Sequence, residues 1–320
     1  MKKKIIRILS IVLPLLLGVF LIIYTYNRFT PQQLEDLNQA FKKADYKYIY
    51  LSLIIAFTGY VSRAYRWKYT LQHMGYTSPF YNNFFAVSIA YFMNLTIPRS
   101  GEVARAVTLK RYSNVPFDKA LGTIISERVI DLFILIFCIA GTVALQFTTL
   151  KDYLLEQIPF EKLLMYGVIS GIMFIGAVLM FMYSRMKWIQ KLKIKISGLK
   201  EGVLSVFKMP NKWPFLLHSV YIWVTYVLMF YISIFALPET AQLGFGTVAA
   251  AFVIGSLAIT FSNGGFAVYP FVIAKILSLY AVPEATGTAF GWIVWTSQII
   301  LILFLGIFSF LLLPILNRKK

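Results

Sequence analysis

Apolar runs of about 20 residues recur along the whole of this chain, and at 1.5 Å per residue each can cross a hydrocarbon core of about 30 Å as a helix. They fall at about 5–26, 46–71, 118–147, 162–183, 214–237 and 286–316. The composition leaves little room for anything else: 59% of the 320 residues are hydrophobic and only 14% are charged, which no soluble domain matches. The expected fold class is all-α integral membrane, with residues 1–320 as a single polytopic domain and no soluble catalytic module. The first run follows Met1-Lys2-Lys3-Lys4 but is too long for a secretory signal and lacks a small-residue cleavage site, so it reads as an uncleaved span. The one cysteine, Cys138, lies in an apolar run and offers neither a disulfide framework nor a cysteine metal site.

Two further hydrophobic segments, about 80–112 and 245–280, are each broken near the middle, at Pro98-Arg99-Ser100-Gly101-Glu102 and at Ser262-Asn263-Gly264-Gly265. Unwound backbone at membrane depth survives only where it lines a polar cavity or a site, and broken segments at corresponding places in two halves mark transporters built from inverted repeats. The second arm of the first segment, Gly101 to Arg111, holds Glu102, Arg105, Lys110 and Arg111. Exposing those charges to lipid would cost several kcal/mol, so the segment is expected to enter and leave on one face as a hairpin. The expectation is six full spans plus two opposed re-entrant hairpins, in half-repeats of about 1–147 and 162–316. Residue similarity between the halves is slight, so the repeat is one of hydropathy and topology.

Lysine and arginine set the orientation. Lys2, Lys3, Lys4 and Arg7 precede the first span, eight bases from Arg185 to Lys212 fill one loop, and Arg318, Lys319 and Lys320 close the chain. The loops at 148–161 and 238–244 are acidic or uncharged, with Asp152, Glu156, Glu161 and Glu239 against Lys151 alone. Both termini are expected in the cytoplasm, with the chain in a bacterial inner membrane. The stretch 27–45 carries mixed charge and reads as a connection. The net charge of +18 is spread through cytoplasmic loops, where topology and anionic lipid explain it, so nucleic acid is not an expected partner. Apolar and basic residues alternate from Trp188 to Ile196, which fits either a helix lying on acidic lipid or a basic linker.

Charge inside the apolar segments marks the candidate site. Arg63 and Arg66 are three apart at the end of the second span, on one helix face, beside Trp67. They read either as cytoplasmic anchors beside an interfacial tryptophan or, with Asn94, Arg99, Glu102 and Arg105 at similar depth, as a site for an anion, since paired guanidinium donors fit phosphate. The turn at Pro98 would open a short helix whose free N–H groups add to that preference. Glu102 reads either as part of this site or as the neutralising partner of Arg99 or Arg105. Glu127 and Asp131 are one turn apart in the 118–147 span, and Arg128 can pair with Asp131 at three residues' spacing. These charges either line a path or hold the hairpin against the span.

The run Arg63-x-x-Arg66-Trp67, then Asn94-x-x-x-Pro98-Arg99-x-Gly101-Glu102-x-x-Arg105, then Glu127-Arg128-x-x-Asp131 resembles the flippase-like transmembrane family typified by the membrane half of lysylphosphatidylglycerol synthase. The resemblance covers essentially the whole chain. It implies movement of a phospholipid between leaflets and, because a separate cytosolic half carries the synthase, no lysyltransferase activity. Family members often carry Pro-Gly-Gly-x-Gly-x-x-Glu in the second half, where this chain has Asn263-Gly264-Gly265 with Pro270 at the acidic position. The expected partner is therefore an anionic phospholipid, aminoacylated or plain. Lys275 reads as a phosphate contact or as a snorkelling base, and Glu284 as a substitute acid.

Enzyme classes fare poorly. His73 and His218 lack metal-ligand spacing, no nucleophile triad can be assembled, and no nucleotide loop is present, so no cofactor or metal is expected and movement would follow a lipid gradient or a coupled ion. An intramembrane lipid transferase using Glu102, Glu127 and Asp131, and an envelope-assembly scaffold, are the alternatives. A homo-oligomer is compatible with the sequence.

Overall fold

A computed structural model describes residues 2–97, 100–149, 151, 155, 160–184, 186, 189–190, 193, 206–262 and 264–318. Arg99, Asn263, most of the 185–205 loop with its proposed surface helix, and Asp152 and Glu156 lie outside the described residues. All regular structure among the described residues is helical: α1 (Lys2–Arg28), α2 (Pro31–Lys43), α3 (Tyr46–His73), α4 (Phe80–Thr96), α5 (Ser100–Ser113), α6 (Phe117–Leu145), α7 (Phe160–Tyr183), α8 (Lys212–Ser233, continued by a 3₁₀ turn to Ala236), α9 (Pro238–Ala241), α10 (Phe245–Phe261), α11 (Val268–Ser278) and α12 (Glu284–Leu316). By length and composition α6, α8 with its 3₁₀ turn, and α12 can each cross a membrane, and the segments Leu16–Arg28, Phe245–Phe261 and Val268–Ser278 are shorter apolar helices.

The stretch expected to be a connection contains α2. Its start is written in the sequence: Thr30 accepts from the Gln33 amide while the Gln33 side chain accepts from the Thr30 amide, a capping box with Pro31 at the first helical position. Leu37 and Phe41 then pack on the core around Ala40 and Ala44, and Gln32, Glu35, Asp36 and Gln39 remain on the polar face.

The most extensive contact joins α3 to α8, antiparallel, so that the Asp45 amide donates to Ala236 O at 2.8 Å at one end. Lipid tails are as apolar as leucine, so small residues and polar contacts must bring such helices together. Gly287 and Gly291 of α12, a GxxxG pair, lie against Ala274 and Pro270 of α11, where a Cβ on Gly291 would stand 2.6 Å from Pro270 Cα.

The helices flanking the two breaks form side-by-side pairs, α4 with α5 and α10 with α11. In the first pair both ends meet at one level: Ser78 Oγ lies 2.8 Å from Ser113 Oγ, and the Asn82 amide donates to Tyr112 O at 3.1 Å. Asn317, the C-cap of α12, exchanges amide hydrogen bonds with Asn82 at 2.7 and 3.1 Å. Gln146, the C-cap of α6, stands in the same relation to the second pair: it accepts from the Tyr280 hydroxyl at 3.0 Å, and its side chain covers Gly246. Both pairs also leave by the same turn, a left-handed residue (Asn114, φ 51°; Ala281, φ 62°) followed by a buried valine and a proline N-cap.

Candidate functional site

α3, α5 and α6 bring three arginines and two carboxylates into one buried cluster. Arg66 is fully buried and donates from Nη1 to Asp131 Oδ1 at 2.5 Å and Ser219 Oγ at 3.1 Å, and from Nη2 to Asp131 Oδ2 at 3.1 Å and Glu127 Oε2 at 3.4 Å. Arg63 donates to Asp131 Oδ2 at 3.2 Å and to the Tyr226 hydroxyl at 3.0 Å. Arg105 donates to Glu127 through both terminal nitrogens, at 2.8 and 3.4 Å, and its guanidinium lies 3.6 Å from the centre of the Trp67 ring. The spacing explains the gathering: Arg63 and Arg66 share one face of α3, and Glu127 and Asp131 share one face of α6.

Two parts of the sequence expectation meet a different arrangement. Trp67 is fully buried rather than interfacial, because its ring carries Arg105 and its Nε1 donates to Thr123 at 2.9 Å, so Arg63 and Arg66 are core residues and not anchors. Glu102 pairs with Arg128 Nε at 3.1 Å, since Arg105 is already held by Glu127. Arg128 also approaches Asp131 at 3.6 Å, as its spacing suggests. The Glu102 and Arg128 side chains are 37% and 43% exposed, unlike the cluster behind them.

Three buried guanidiniums against two buried carboxylates leave one unit of positive charge in the bundle, and Glu102 with Arg128 cancel without changing it. The Nε atoms of Arg63, Arg66 and Arg105 are buried without hydrogen-bond partners. Beside them lies a cavity of about 20 Å³, enclosed by Arg63, Arg105, Arg128, Glu102, Asn94 and Tyr91, which has room for about one water molecule. Asn94 caps the start of α5, its Oδ1 accepting from the Gly101 amide at 2.8 Å, and Gly101 is required there because a Cβ would run into the Ala90 carbonyl. Glu127 and Asp131 are both engaged by guanidiniums, so neither stands free as an acid or base.

The contribution from the second half was not anticipated. Tyr226 and Ser219 of α8 complete the shells of Arg63 and Arg66, and Tyr91 of α4 lies 2.8 Å, hydroxyl to hydroxyl, from Tyr226. The available signal was a polar side chain every seventh residue of α8, at Ser219, Tyr226 and Ser233, which places all three on one helix face.

Gly264 and Gly265 stand apart from this cluster, at the turn between α10 and α11. Their φ angles of 64° and 79° suit glycine alone, and Trp295 Nε1 pins the turn by donating to Gly264 O at 2.8 Å. Pro270 is buried against Gly291, so this position is a packing contact. Lys275 is bound by Glu284 at 2.7 Å, so Glu284 is not a free carboxylate.

An all-helical membrane protein with a buried arginine–carboxylate cluster against a broken helix pair is the class these features define. The chain belongs to the family described as the lysylphosphatidylglycerol synthase TM region, which it matches over residues 11–313. It is also 31% identical over 119 residues to the UPF0104 membrane protein MJ1595 of Methanocaldococcus jannaschii, an alignment covering 35% of each chain. The match thus spans about a third of that relative's length. No solved structure matches.

Proposed function

We propose that this protein is a lipid translocase of a bacterial inner membrane that moves an anionic phospholipid between leaflets. In this reading α1, α3, α6, α7, α8 and α12 are full spans, the pairs α4–α5 and α10–α11 are opposed re-entrant hairpins, the half-repeats run over about 1–147 and 162–316, and both termini are cytoplasmic. The observation that carries it is the surplus positive charge held beside a polar cavity inside an apolar bundle. A buried charge without a partner costs several kcal/mol, so such a site is stabilised by a ligand of opposite sign. Arg63, Arg105 and Arg128, with Asn94, supply donors for a phosphate, and Arg99, one residue before α5 in the sequence, is assigned to the same role. Both terminal nitrogens of Arg66 are committed to Asp131, Glu127 and Ser219, so Arg66 acts by positioning the carboxylates. Gly264 and Gly265 form the turn of the opposite hairpin, and Asn263 precedes them in the sequence. The matching exits at Asn114 and Ala281, and the amide clasps at Asn317 and Gln146, support the repeat.

Reconstituted protein supplied with fluorescent phosphatidylglycerol and its lysyl ester tests this. Both lipids are expected to move, the plain lipid at least as fast, because Pro270 replaces an acid and Glu284 is already bound to Lys275. Arg105→Gln is expected to slow movement at least about tenfold, the equivalent of one charge-assisted hydrogen bond at about 1.5–3 kcal/mol. Undiminished movement in a folded Arg105→Gln protein overturns the site, and a lysyl preference abolished by Glu284→Gln overturns the cargo assignment.

The topology has its own check. In a Cys138→Ala background, a cysteine at Glu239 is expected to label from outside intact cells, and cysteines at Lys110 and Arg318 only after permeabilisation. Labelling at Lys110 from outside rules out the inward-facing first hairpin.

A further inference from the structure

A second polar feature lies on the opposite face of the same two helices, turned toward the bilayer. The surface of α3 and α8 there is apolar, with Ile54, Phe57, Leu217, Val220 and Val224 exposed. Along the seam it is interrupted by Thr58, Ser62 and Tyr65 of α3 and His218 and Tyr221 of α8, which with Val61 and Leu217 line an open groove of about 520 Å³. Hydroxyl and imidazole groups facing hydrocarbon are costly unless they are partnered.

Some of these groups bind each other: Tyr221 donates to Thr58 Oγ1 at 3.0 Å, and Ser62 Oγ lies 2.8 Å from His218 Nδ1. Holding α3 to α8 does not account for the rest. The seam is already closed deeper in, where Gly59 lets Thr225 approach so near that a Cβ would stand 2.8 Å from its hydroxyl. His218 Nε2 and the Tyr65 hydroxyl have no hydrogen-bond partner among the described residues. The Tyr65 ring lies parallel to the imidazole, 6.0 Å between centres and 11° between planes, and packs on Phe80 at 4.4 Å, which fixes both polar tips at the groove. One turn beyond Tyr65, on the same face of α3 and past the groove's own lining, Lys68 is exposed. The polarity is therefore graded along the groove, from a base through an imidazole and a phenol to a hydroxyl pair. A phospholipid presents the same order from phosphate through glycerol esters to acyl chain.

We propose that this groove is a binding site for one anionic phospholipid, held in the leaflet on the side of the α3 C-terminus. Its phosphate lies at Lys68, its glycerol esters at His218 and Tyr65, and one chain runs past Tyr221 along Val61 and Leu217. The groove binds lipid whether or not the buried arginines move it, so the inference does not rest on the translocase reading.

The test uses the full chain in vesicles containing a trace of phosphatidylglycerol that carries a photoactivatable group near its ester carbonyl, with adducts mapped by peptide mass spectrometry. Adducts are expected on residues 58–65 and 217–221 well above those on the ordinary lipid-facing surface at Phe304–Leu311 of α12. Unlabelled phosphatidylglycerol is expected to displace them, and phosphatidylcholine to do so about tenfold less well. Lys68→Glu, an exposed change that leaves the fold intact, is expected to remove that preference, and His218→Leu to lower the yield for both lipids. Adducts spread evenly over the lipid-facing helices, or displaced equally by the two lipids, overturn the proposal. Because transport is not read, a protein that binds here but moves no lipid sinks the translocase and leaves the groove standing.

Discussion

Asp131→Ala is expected to be the most damaging single substitution in the chain, lowering stability by about 3–5 kcal/mol, because it removes the acceptor of two buried arginines at once. Arg66 would lose its two closest contacts and keep only Glu127 at 3.4 Å and Ser219 at 3.1 Å, and Arg63 would keep only Tyr226. The surplus of one buried positive charge would become two. Such a protein should aggregate on extraction, or unfold well below the parent in a thermal assay followed by size-exclusion chromatography. Asp131→Asn should be milder, since its carbonyl still accepts from Arg66.

A second variant separates scaffold from function. Replacing both members of a buried pair by apolar residues is often neutral for stability, so Arg66→Met with Asp131→Leu should recover most of the lost stability while Arg63, stripped of its carboxylate, keeps lipid movement impaired. If the double variant restores full movement, the pair is a brace and nothing more. If Asp131→Ala is as stable as the parent, the cluster contributes no binding between α3 and α6.

The positions of the helices were legible in the sequence because hydropathy acts over one turn at a time. The breaks at Pro98 and at Gly264-Gly265 fall between α4 and α5 and between α10 and α11, and the long apolar runs coincide with α1, α3, α6, α7, α8 and α12 to within a few residues. The charged residues of the cluster were legible as a set, since an ionisable side chain in an apolar run must find company. Their pairing was not. Whether Glu102 meets Arg105 or Arg128 depends on how α5 rotates against α6, which is fixed by Gly101 against Ala90 and by Trp67 beneath Arg105, contacts with no local signature. The role of α8 was hidden for the same reason: Ser219 and Tyr226 sit more than 150 residues from the arginines they serve. The helix α2 was readable from its capping box, and mixed charge at 27–45 obscured it.

The Glu102–Arg128 pair is expected to mark where the site opens, and tying it shut is expected to stop lipid movement. It is the outermost of the ion pairs between α5 and α6, two-fifths exposed where Arg105–Glu127 behind it is buried. An exposed pair is worth only about 0–1 kcal/mol, so it can part at thermal rates, whereas the cavity it covers is too small for a phosphate while the two helices stay together. Cysteines at Glu102 and Arg128, in a Cys138→Ala background, can be joined by a short cleavable thiol linker. The untethered double variant, which lacks the Arg128 donor, should move lipid more slowly than the parent but measurably, the tethered form should lose at least about a further tenfold, equivalent to blocking more than 1.4 kcal/mol of opening, and a reductant should restore the untethered rate. A second tether tests whether any link within the hairpin would do the same. Ser78 and Ser113 face each other at 2.8 Å across the base of α4–α5, and cysteines there should close a disulfide without touching the cavity. Movement lost equally with the base tether would mean that the whole hairpin must swing. Movement surviving the tip tether would mean that lipid never passes between α5 and α6.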